Sequence, residues 1–279
     1  MTLKEAQDSG KAQLQEVGIQ EAPLDAWYLL EFVTRVDRAT YFGNPNRLLT
    51  VEEEALYRTL IAQRAKRIPL QHLTGVQEFM GYVFQVNEHV LIPRQDTEIL
   101  VEQVLEWVPQ EECTIKVLDL CTGSGCILIS LMGLRPQIEG VGVDISKEAL
   151  EVATRNGIYN GVHPTWVKSD LFTEITEEFD IIVSNPPYIK TAEIETLEAE
   201  VREHDPLLAL DGKEDGLFFY HAIIEQATQY LKQDGMLTFE IGHDQGEAVS
   251  EYMKAHGFVD VEVKKDLAGL DRIVYGRVQ

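Results

Sequence analysis

Cysteine is scarce in this sequence, and no two cysteines have the spacing of a metal-binding or redox pair. Cys113, Cys121 and Cys126 are an odd number and form no Cys-x-x-Cys motif. This pattern excludes a disulfide framework, and it predicts neither a zinc site nor any other metal site.

Long hydrophobic runs are also absent. Apolar stretches such as residues 126–132 are far too short to span a bilayer, which requires about 20 apolar residues. Residues 1–11 are polar and lack the apolar core of a signal peptide. Together with the unpaired cysteines, these absences predict a cytoplasmic protein without a membrane partner.

Positive charge is deficient, and the deficit is confined to one part of the chain. The 24 Lys and Arg residues face 47 Asp and Glu residues, which gives a formal net charge of −23. Residues 1–75 hold 9 basic and 10 acidic residues, a net of −1, whereas residues 76–279 hold 15 and 37, a net of −22. We therefore predict two modules with different surfaces. No direct nucleic-acid contact is expected, because phosphates are met by clustered Lys and Arg.

Residues 1–75 are predicted to form a small all-helical domain. Apolar residues recur at helical spacing, for example at Leu29, Leu30 and Val33. Thr50 is the predicted N-cap of a helix whose first turn, residues 52–54, is acidic and so complements the helix dipole. The basic cluster Arg64, Lys66 and Arg67 is interpreted as a solvated helix end.

The next segments connect this domain to a larger one. Aromatic and β-branched residues over 76–92, with interspersed glycine and asparagine, predict a short hairpin linker. A helix follows Ile92 and Pro93, and Asp96 or Thr97 is its predicted cap. We expect the second domain to cover residues 93–279.

After residue 114 the chain alternates between strand and helix patterns. Apolar runs predict five strands at 115–120, 140–144, 165–170, 179–184 and 236–240. Strands that alternate with helices indicate an α/β protein with a parallel, doubly wound, Rossmann-like sheet.

Polar side chains stand where the first four strands end. They are Asp119, Asp144, Asp170 and Asn185. Because the carboxyl ends of parallel strands lie at one edge of a sheet, we expect these residues to converge on one cleft.

The loop after the first strand is rich in glycine but has no phosphate-binding signature. Its two glycines, Gly123 and Gly125, let the backbone approach a ligand closely. The third glycine of a dinucleotide fingerprint is replaced by Leu128, and no Gly-Lys-Ser/Thr motif is present. Asp144 is placed to accept from both hydroxyls of a ribose. These features favour a nucleoside ligand without a pyrophosphate.

The segment Asn185-Pro186-Pro187-Tyr188 follows the fourth strand. Its two prolines remove two N–H donors and fix φ, so the loop is rigid and presents mainly acceptors. The Asn185 side-chain oxygen and the Pro186 carbonyl match the two donors of a planar NH₂ group. Tyr188 supplies a flat face for stacking. We predict catalytic roles for Asn185, Pro186 and Tyr188, and substrate contacts from Asn185 through Tyr188.

These motifs resemble the peptide chain release factor N5-glutamine methyltransferases. The resemblance is carried by residues 119–125, Asp144 and residues 185–188, and further by residues 69–75, 78–79 and 92–98. It covers roughly residues 25–279. It implies a class I methyltransferase fold, with a helical N-terminal domain that recognises the release factor.

The resemblance also implies an activity and a set of roles. The family transfers a methyl group from S-adenosylmethionine to the glutamine amide in the Gly-Gly-Gln loop of class I release factors, which supports translation termination. By position, residues Cys121, Thr122, Gly123, Ser124 and Gly125 would line the methionine part of the cofactor. Asp144 would hold the ribose and Leu171 the adenine, and Asn185 would touch both cofactor and substrate. We expect a monomer whose partner is a class I release factor.

Four positions depart from the family pattern. Cys121 stands where glycine is frequent, and Leu171 stands where some members carry tryptophan. Gln95 replaces a usual proline, and residues 204–206 replace a more usual aromatic-Glu-Pro sequence.

Two other functions are compatible with parts of the pattern. An adenine-N6 methyltransferase of DNA or RNA uses the same Asn-Pro-Pro-Tyr logic, but the net charge of −22 over residues 76–279 disfavours it. A cofactor-binding module without catalysis is disfavoured by the intact substrate loop.

An acidic run follows the Asn-Pro-Pro-Tyr segment. It has two interpretations: a solvated helix face, or a surface that binds a basic surface of a protein partner. Its residues are Glu193, Glu195, Glu198, Glu200 and Glu203.

Overall fold

The computed structural model describes residues 1–109 and 113–279. These residues form two compact units. The helical unit comprises Met1–Gly75 together with Glu198–His204, and the sheet unit comprises Val76–Leu197 together with Asp205–Gln279. None of the helices among the described residues has the length and apolar character needed to cross a bilayer.

Short helices build the helical unit. They are Leu3–Glu16, Ala22–Thr34, Arg38–Gly43, Val51–Arg64, Leu70–Thr74 and, from the later segment, Ala199–Arg202. Thr2 and Thr50 each form a capping box with the glutamate three residues on, so the predicted cap at Thr50 is confirmed. The core of the unit packs around Leu29, Leu30 and Ile61.

Arg64 is not at a solvated helix end, and that interpretation of the basic cluster is wrong for this residue. Its side chain is buried, with Nε donating to Asp25 Oδ2 at 2.7 Å and Nη1 to Glu200 Oε1 at 3.0 Å. Arg67 Nη1 also donates to Glu200, at 3.2 Å. A buried guanidinium needs such carboxylate partners. Glu200 is therefore an internal ion-pair partner within the helical unit, not part of an open acidic surface.

A hairpin opens the sheet unit, as predicted. Strands β1 (Val76–Phe79) and β2 (Tyr82–Gln85) pair antiparallel, with Val76 opposite Gln85. The hairpin packs Phe79 and Phe84 into the core of the sheet unit.

The main sheet has seven strands in the order β5-β4-β3-β6-β7-β9-β8. Their bounds are β3 Ile115–Leu120, β4 Ile138–Asp144, β5 Thr165–Lys168, β6 Phe179–Ser184, β7 Leu231–Glu240, β8 Phe258–Lys265 and β9 Asp271–Val278. The strands from β5 to β7 run parallel, whereas β9 is antiparallel to β7 and to β8. The five predicted strands correspond to the parallel strands β3 to β7, which confirms that prediction. Strands β8 and β9 were not predicted, and they form an antiparallel hairpin that needs no crossover helix.

Helices cover both faces of the sheet. The longer ones are Asp96–Trp107, Cys126–Leu134, Lys147–Tyr159, Phe218–Ala227 and Gly246–Ala255, and the short turns are Thr191–Thr196 and Leu207–Leu210. Alternate residues of β3 enter opposite cores, with Leu118 and Leu120 on one side and Ile115 and Val117 on the other. The sheet is thus doubly wound. Its strand order reverses between β3 and β6, and in such sheets ligands bind outside the strand ends at the reversal.

The helix Asp96–Trp107 does not begin as predicted. Gln95 is its N-cap and no side chain caps it, so the expected cap at Asp96 or Thr97 is wrong. Asp96 instead pairs with Arg272, whose Nη2 lies 3.2 Å from Asp96 Oδ2. Thr97 is buried, and its hydroxyl accepts a hydrogen bond from Asn185. Asp96 and Thr97 therefore interact with Arg272 and Asn185, which are distant in sequence, and neither side chain caps the helix.

Candidate active site

A cavity of about 360 Å³ opens at the carboxyl ends of the central strands of the sheet unit. It lies at the strand-order reversal, and its walls come from several separate loops. They include residues 88–91, 93–94, 121–124, 143–146, 169–171, 206, 208–209 and 218–219, together with Thr97, Cys126, Ile127, Ala149, Asn185 and Pro187. Of the four strand-end residues, Asp144, Asp170 and Asn185 therefore converge as predicted.

The fourth strand-end residue, Asp119, does not join the cleft, so its predicted place there is wrong. Its side chain is fully buried beneath the loop and accepts from the Thr122 hydroxyl at 2.5 Å. Burial raises the pKa of Asp119 to about 7, although the Thr122 hydrogen bond favours the charged form. Asp119 thus supports the loop from below.

The loop from Cys121 to Gly125 takes a conformation that favours glycine. Cys121, Gly123 and Gly125 have φ values of 61°, 55° and 79°. A Cβ at Gly125 would lie 2.8 Å from Trp166, so the close packing also excludes a side chain there. Cys121 adopts the left-handed region without being glycine, and it is the position at which the resemblance implies that glycine is frequent. Residues 121–124 line the cavity, but Gly125 is not among the described lining residues.

Asp144 is the last residue of β4, and its carboxylate accepts hydrogen bonds from two loops. Oδ2 accepts from the backbone N–H of Gly123 and Oδ1 from that of Ser146, each at 2.9 Å. Burial raises the pKa of Asp144, while these backbone hydrogen bonds oppose the rise. Each carboxylate oxygen has two lone pairs, so both can still accept from a ligand.

The cavity lining fits the nucleoside cation that the resemblance implies. The lining includes three carboxylates, Glu88, Asp144 and Asp170, against one guanidinium, Arg94. Arg94 is itself paired, because its Nη2 donates to the buried Asp205 Oδ2 at 2.5 Å. Such a wall attracts a sulfonium cation and is unsuited to a pyrophosphate. Asp144 offers acceptors for ribose hydroxyls.

Leu171 is placed where an adenine contact is possible. It lines the cavity with a φ of 46°, and its carbonyl accepts from the Ser169 hydroxyl at 2.9 Å. Its apolar side chain, together with Phe219 on the wall, offers a surface on which a base can pack.

The Asn-Pro-Pro-Tyr loop follows β6 directly. Asn185 and Pro187 line the cavity, whereas Pro186 and Tyr188 are not among the described lining residues. Pro186 is buried and Tyr188 is partly buried. The Tyr188 hydroxyl donates to Glu240 Oε1 at 3.4 Å, and burial raises its pKa. The structure thus brings Asn185 to the cavity and turns the hydroxyl of Tyr188 towards a buried carboxyl.

Three buried residues near Asn185 and Tyr188 were not predicted from the sequence to belong to the site: Thr97, Glu240 and Gln245. Asn185 Nδ2 donates to Thr97 Oγ1 at 3.4 Å, and Thr97 and Glu240 are each 2% exposed. Glu240 ends β7, so the rule that selected the other strand-end acids could have found it. No sequence pattern identifies Gln245, because most of its hydrogen-bond partners are backbone groups that only the folded chain brings together.

The strand order, the glycine loop and the cavity at the sheet reversal define a Rossmann-like methyltransferase. Residues 95–213 match the methyltransferase small domain family, and residues 5–75 match the PrmC N-terminal domain family. Among solved structures, a methyltransferase from Pyrococcus furiosus shares the fold with a TM-score of 0.55 and 15% identity, over 77% of this chain and 98% of that chain. A Thermus thermophilus 16S rRNA methyltransferase in complex with AdoMet and guanosine has a TM-score of 0.52 and 17% identity, over 73% of this chain and 50% of its own.

Two curated relatives are similar over nearly their whole length. The release factor glutamine methyltransferase of Geobacter sulfurreducens is 42% identical, over 99% of this chain and 97% of its own. That of Caulobacter vibrioides is 39% identical, over 99% of this chain and 96% of its own. The chain belongs to the release factor glutamine methyltransferase family.

Proposed function

We propose that this protein is an enzyme that methylates class I peptide chain release factors and so supports translation termination. Its acceptor is the side-chain amide nitrogen, N5, of the glutamine in their Gly-Gly-Gln loop, and its cofactor is S-adenosylmethionine. The observation that carries the proposal is the placement of Asn185. This residue lines the cavity, and its amide nitrogen is bonded to Thr97, which leaves its amide oxygen to accept from a substrate NH₂ group. The relatives named above support the choice of substrate.

The residues that would hold the cofactor belong to three strand ends. Cys121 through Gly125 would surround its methionine part, Asp144 would accept from the ribose hydroxyls, and Leu171 would pack on the adenine. When bound, S-adenosylmethionine supplies an electrophilic methyl group on a sulfonium. The carboxylates of the cavity wall would attract that cation and so favour its binding.

The substrate nitrogen is a poor nucleophile, because its lone pair is delocalised into the amide. The Asn185 oxygen and the Pro186 carbonyl would accept its two hydrogens and hold it in line with the methyl group. Both acceptors become more favourable as positive charge develops on the nitrogen. Positioning and electrostatics therefore account for the rate without a strong base, and the released proton passes to solvent.

Pro187 and Tyr188 would complete the substrate contact. Two consecutive prolines keep the loop rigid, so the acceptors need not be ordered when substrate arrives. The bond from the Tyr188 hydroxyl to Glu240 fixes its ring, against which the planar glutamine amide would stack.

We infer that residues 1–75 recognise the release factor. Large apolar side chains are exposed in one short stretch of this region, with Phe42 at 75%, Leu48 at 70% and Val51 at 82%. Three large apolar side chains exposed within ten residues supply apolar area that a protein partner would cover. The enzyme acts as a monomer in this proposal, and residues 76–92 and 93–279 form its hairpin and methyltransferase portions.

One experiment tests the proposed function against its alternative. The protein is incubated with radiolabelled S-adenosylmethionine and either a purified class I release factor or adenine-containing DNA. We expect label only on the release factor, and peptide mass spectrometry should place one methyl group on the Gly-Gly-Gln glutamine. Label on DNA would instead support an adenine methyltransferase, and label on neither would contradict both. Asn185→Ala serves as the control for background transfer.

A further inference from the structure

Asn156 is a fully buried residue of the helix Lys147–Tyr159, and its side chain reaches two other segments of the sheet unit. Its Oδ1 accepts from the backbone N–H of Gln85 at 2.7 Å. Its Nδ2 donates to the carbonyl of Gln85 at 3.1 Å and to the carbonyl of Ser124 at 2.9 Å. One side chain therefore joins the end of β2 to the glycine loop, residues 121–125.

The three partners of Asn156 fix the orientation of its amide. An asparagine amide has an acceptor oxygen and two donor hydrogens, and here a backbone N–H faces the oxygen while two carbonyls face the NH₂ group. If the amide were turned over, its oxygen would face the two carbonyls and its NH₂ group would face the N–H. The link between hairpin and loop therefore has a single favourable geometry.

The two segments that Asn156 joins carry two walls of the cavity. Residues 88–91, which follow β2, line the cavity, and so do residues 121–124 of the glycine loop. The first of these walls also packs on the helix of Asn156, because Val86 and Val90 form a buried cluster with Ala149 and Val152. The position of the glycine loop relative to residues 88–91 thus depends on contacts with one helix.

The glycine loop needs support from outside, because its backbone is strained at Cys121. This residue has a φ of 61° although it carries a side chain, and such a conformation persists only where the surrounding structure holds it. Three side chains outside the loop bond its consecutive residues 122, 123 and 124, and they are Asp119, Asp144 and Asn156. Asn156 adds the link from the loop to the hairpin.

We propose that Asn156 is a positioning residue for the cofactor: it ties the glycine loop to the hairpin and so holds the loop in the conformation that binds S-adenosylmethionine. This inference rests on the proposed function. Asn156 is not among the described residues that line the cavity, so it acts through those that do. Without its bond to Ser124 the loop populates other conformations, and the apparent Kd rises as the competent fraction falls.

Asn156→Leu removes the amide and keeps a side chain of similar size. We expect the Kd for S-adenosylmethionine to rise about 3- to 10-fold in calorimetric titration, the size expected for one neutral hydrogen bond. KM for S-adenosylmethionine should rise with it, whereas KM for release factor should stay within about 2-fold of the parent. Asn156→Ala removes the same three bonds with less demand for space, and it takes the place of the leucine variant if that variant does not fold.

Asn160→Leu is the matched control on the same helix. Asn160 Nδ2 donates to the carbonyl of Val83 in β2 at 2.9 Å and to that of Asn156 at 3.0 Å. The same substitution there removes a bond between helix and hairpin but leaves the Ser124 bond in place. Its Kd for S-adenosylmethionine should stay within about 2-fold of the parent, even though the free energy of unfolding falls. An equal rise of Kd in both variants would assign the effect to a loosened hairpin and overturn the inference.

A readout without cofactor keeps the inference separate from the proposed function. The backbone N–H resonance of Gly123, identified in glycine-labelled protein by its loss in Gly123→Ala, reports on the loop through the bond to Asp144. It should shift in Asn156→Leu and stay near its parent position in Asn160→Leu.

Two results would contradict the positioning role of Asn156. They are an unchanged Gly123 resonance in a folded Asn156 variant, and a Kd for S-adenosylmethionine within about 2-fold of the parent in that variant. A parent protein that binds no S-adenosylmethionine contradicts the proposed function instead, and the Gly123 resonance then still decides whether Asn156 positions the loop.

Discussion

Gln245 Nε2 donates to the backbone carbonyl of Tyr188 at 3.0 Å, which ties the end of the Asn-Pro-Pro-Tyr loop to the region after β7. The same nitrogen donates to the Gly216 carbonyl at 3.2 Å. Gln245 Oε1 accepts from the Gly242 N–H at 2.8 Å and from the Tyr220 hydroxyl at 3.2 Å. One buried side chain therefore ties together the chain segments at Tyr188, Gly216 and Gly242.

Replacing Gln245 should destabilise the protein. Gln245→Leu leaves the Tyr188 carbonyl and other buried groups without partners, and each unsatisfied group costs about 1–3 kcal/mol. We expect the free energy of unfolding in urea to fall by at least about 2 kcal/mol. The same change at exposed Gln226 is the control and should stay within about 0.5 kcal/mol of the parent. Equal stability of the two variants would mean that the Gln245 bonds do not contribute.

Asp144 should be essential for cofactor affinity. Asp144→Ala removes acceptors from the ribose hydroxyls and also leaves the Gly123 and Ser146 N–H groups without their partner. Bonds to charged groups contribute about 1.5–3 kcal/mol each, so the Kd for S-adenosylmethionine should rise at least about 100-fold in calorimetric titration. Asp144→Asn keeps one oxygen and should show an intermediate loss. Unchanged affinity in the alanine variant would rule out the ribose assignment.

Asn185 should affect turnover far more than folding. Its amide oxygen is needed most when the substrate nitrogen develops charge, so Asn185→Ala should lower kcat about 10²–10³-fold. Within residues 1–109 and 113–279, the Asn185 side chain makes one hydrogen bond, to Thr97 at 3.4 Å, so we expect the circular dichroism and melting temperature of the variant to match those of the parent. A folded variant with turnover within a few-fold of the parent would show that Asn185 does not orient the nucleophile.

The sequence predicted the strands nearest the site well and the edge of the sheet poorly. Strands β3 and β6 have the predicted bounds, because buried parallel strands are continuous apolar runs that end at turn residues. Strand β8 alternates valine with charged residues and is largely exposed, so its pattern did not stand out among those runs.

Non-local partners account for the errors at individual residues. Thr97 has the local pattern of a helix cap, but its bond to Asn185 lies 88 residues away in the chain. Arg64 has the pattern of a solvated helix end, but its partner Glu200 lies 136 residues away. The spacing of residues along the chain carries no information on such distant pairs. Rules based on neighbouring residues therefore predicted a helix cap and a solvated side chain where the structure has buried, hydrogen-bonded ones.

The acidic run after Tyr188 should govern the salt dependence of methylation. Glu195 and Glu198 are exposed, whereas Glu200 is engaged with Arg64 and Arg67. Surface carboxylates that steer a basic partner act on association, and salt screens them. KM for intact release factor should rise between about 50 and 300 mM salt, with little change in kcat. The double variant Glu195→Gln and Glu198→Gln should flatten that response.

Glu200→Gln is the contrasting variant for that experiment. Because Glu200 neutralises buried Arg64, its replacement should lower the free energy of unfolding and leave the salt response of KM unchanged. An identical salt response in the parent and the double variant would indicate that the run is only a solvated face.

Asp119 should make stability depend on pH in a predictable direction. Its folded pKa of about 7 lies above the ordinary aspartate value of about 3.9, so the folded state binds the proton more tightly than the unfolded state. Stability from this group is fully present below about pH 4 and is lost as the pH rises to about 7, at up to about 1.4 kcal/mol per pH unit. Asp119→Asn cannot ionise, and its amide oxygen can still accept from Thr122. The variant should therefore gain stability relative to the parent as urea unfolding is measured at pH 5, 6, 7 and 8, with the difference levelling off above the Asp119 pKa. A difference that is constant across this range would show that Asp119 does not titrate there.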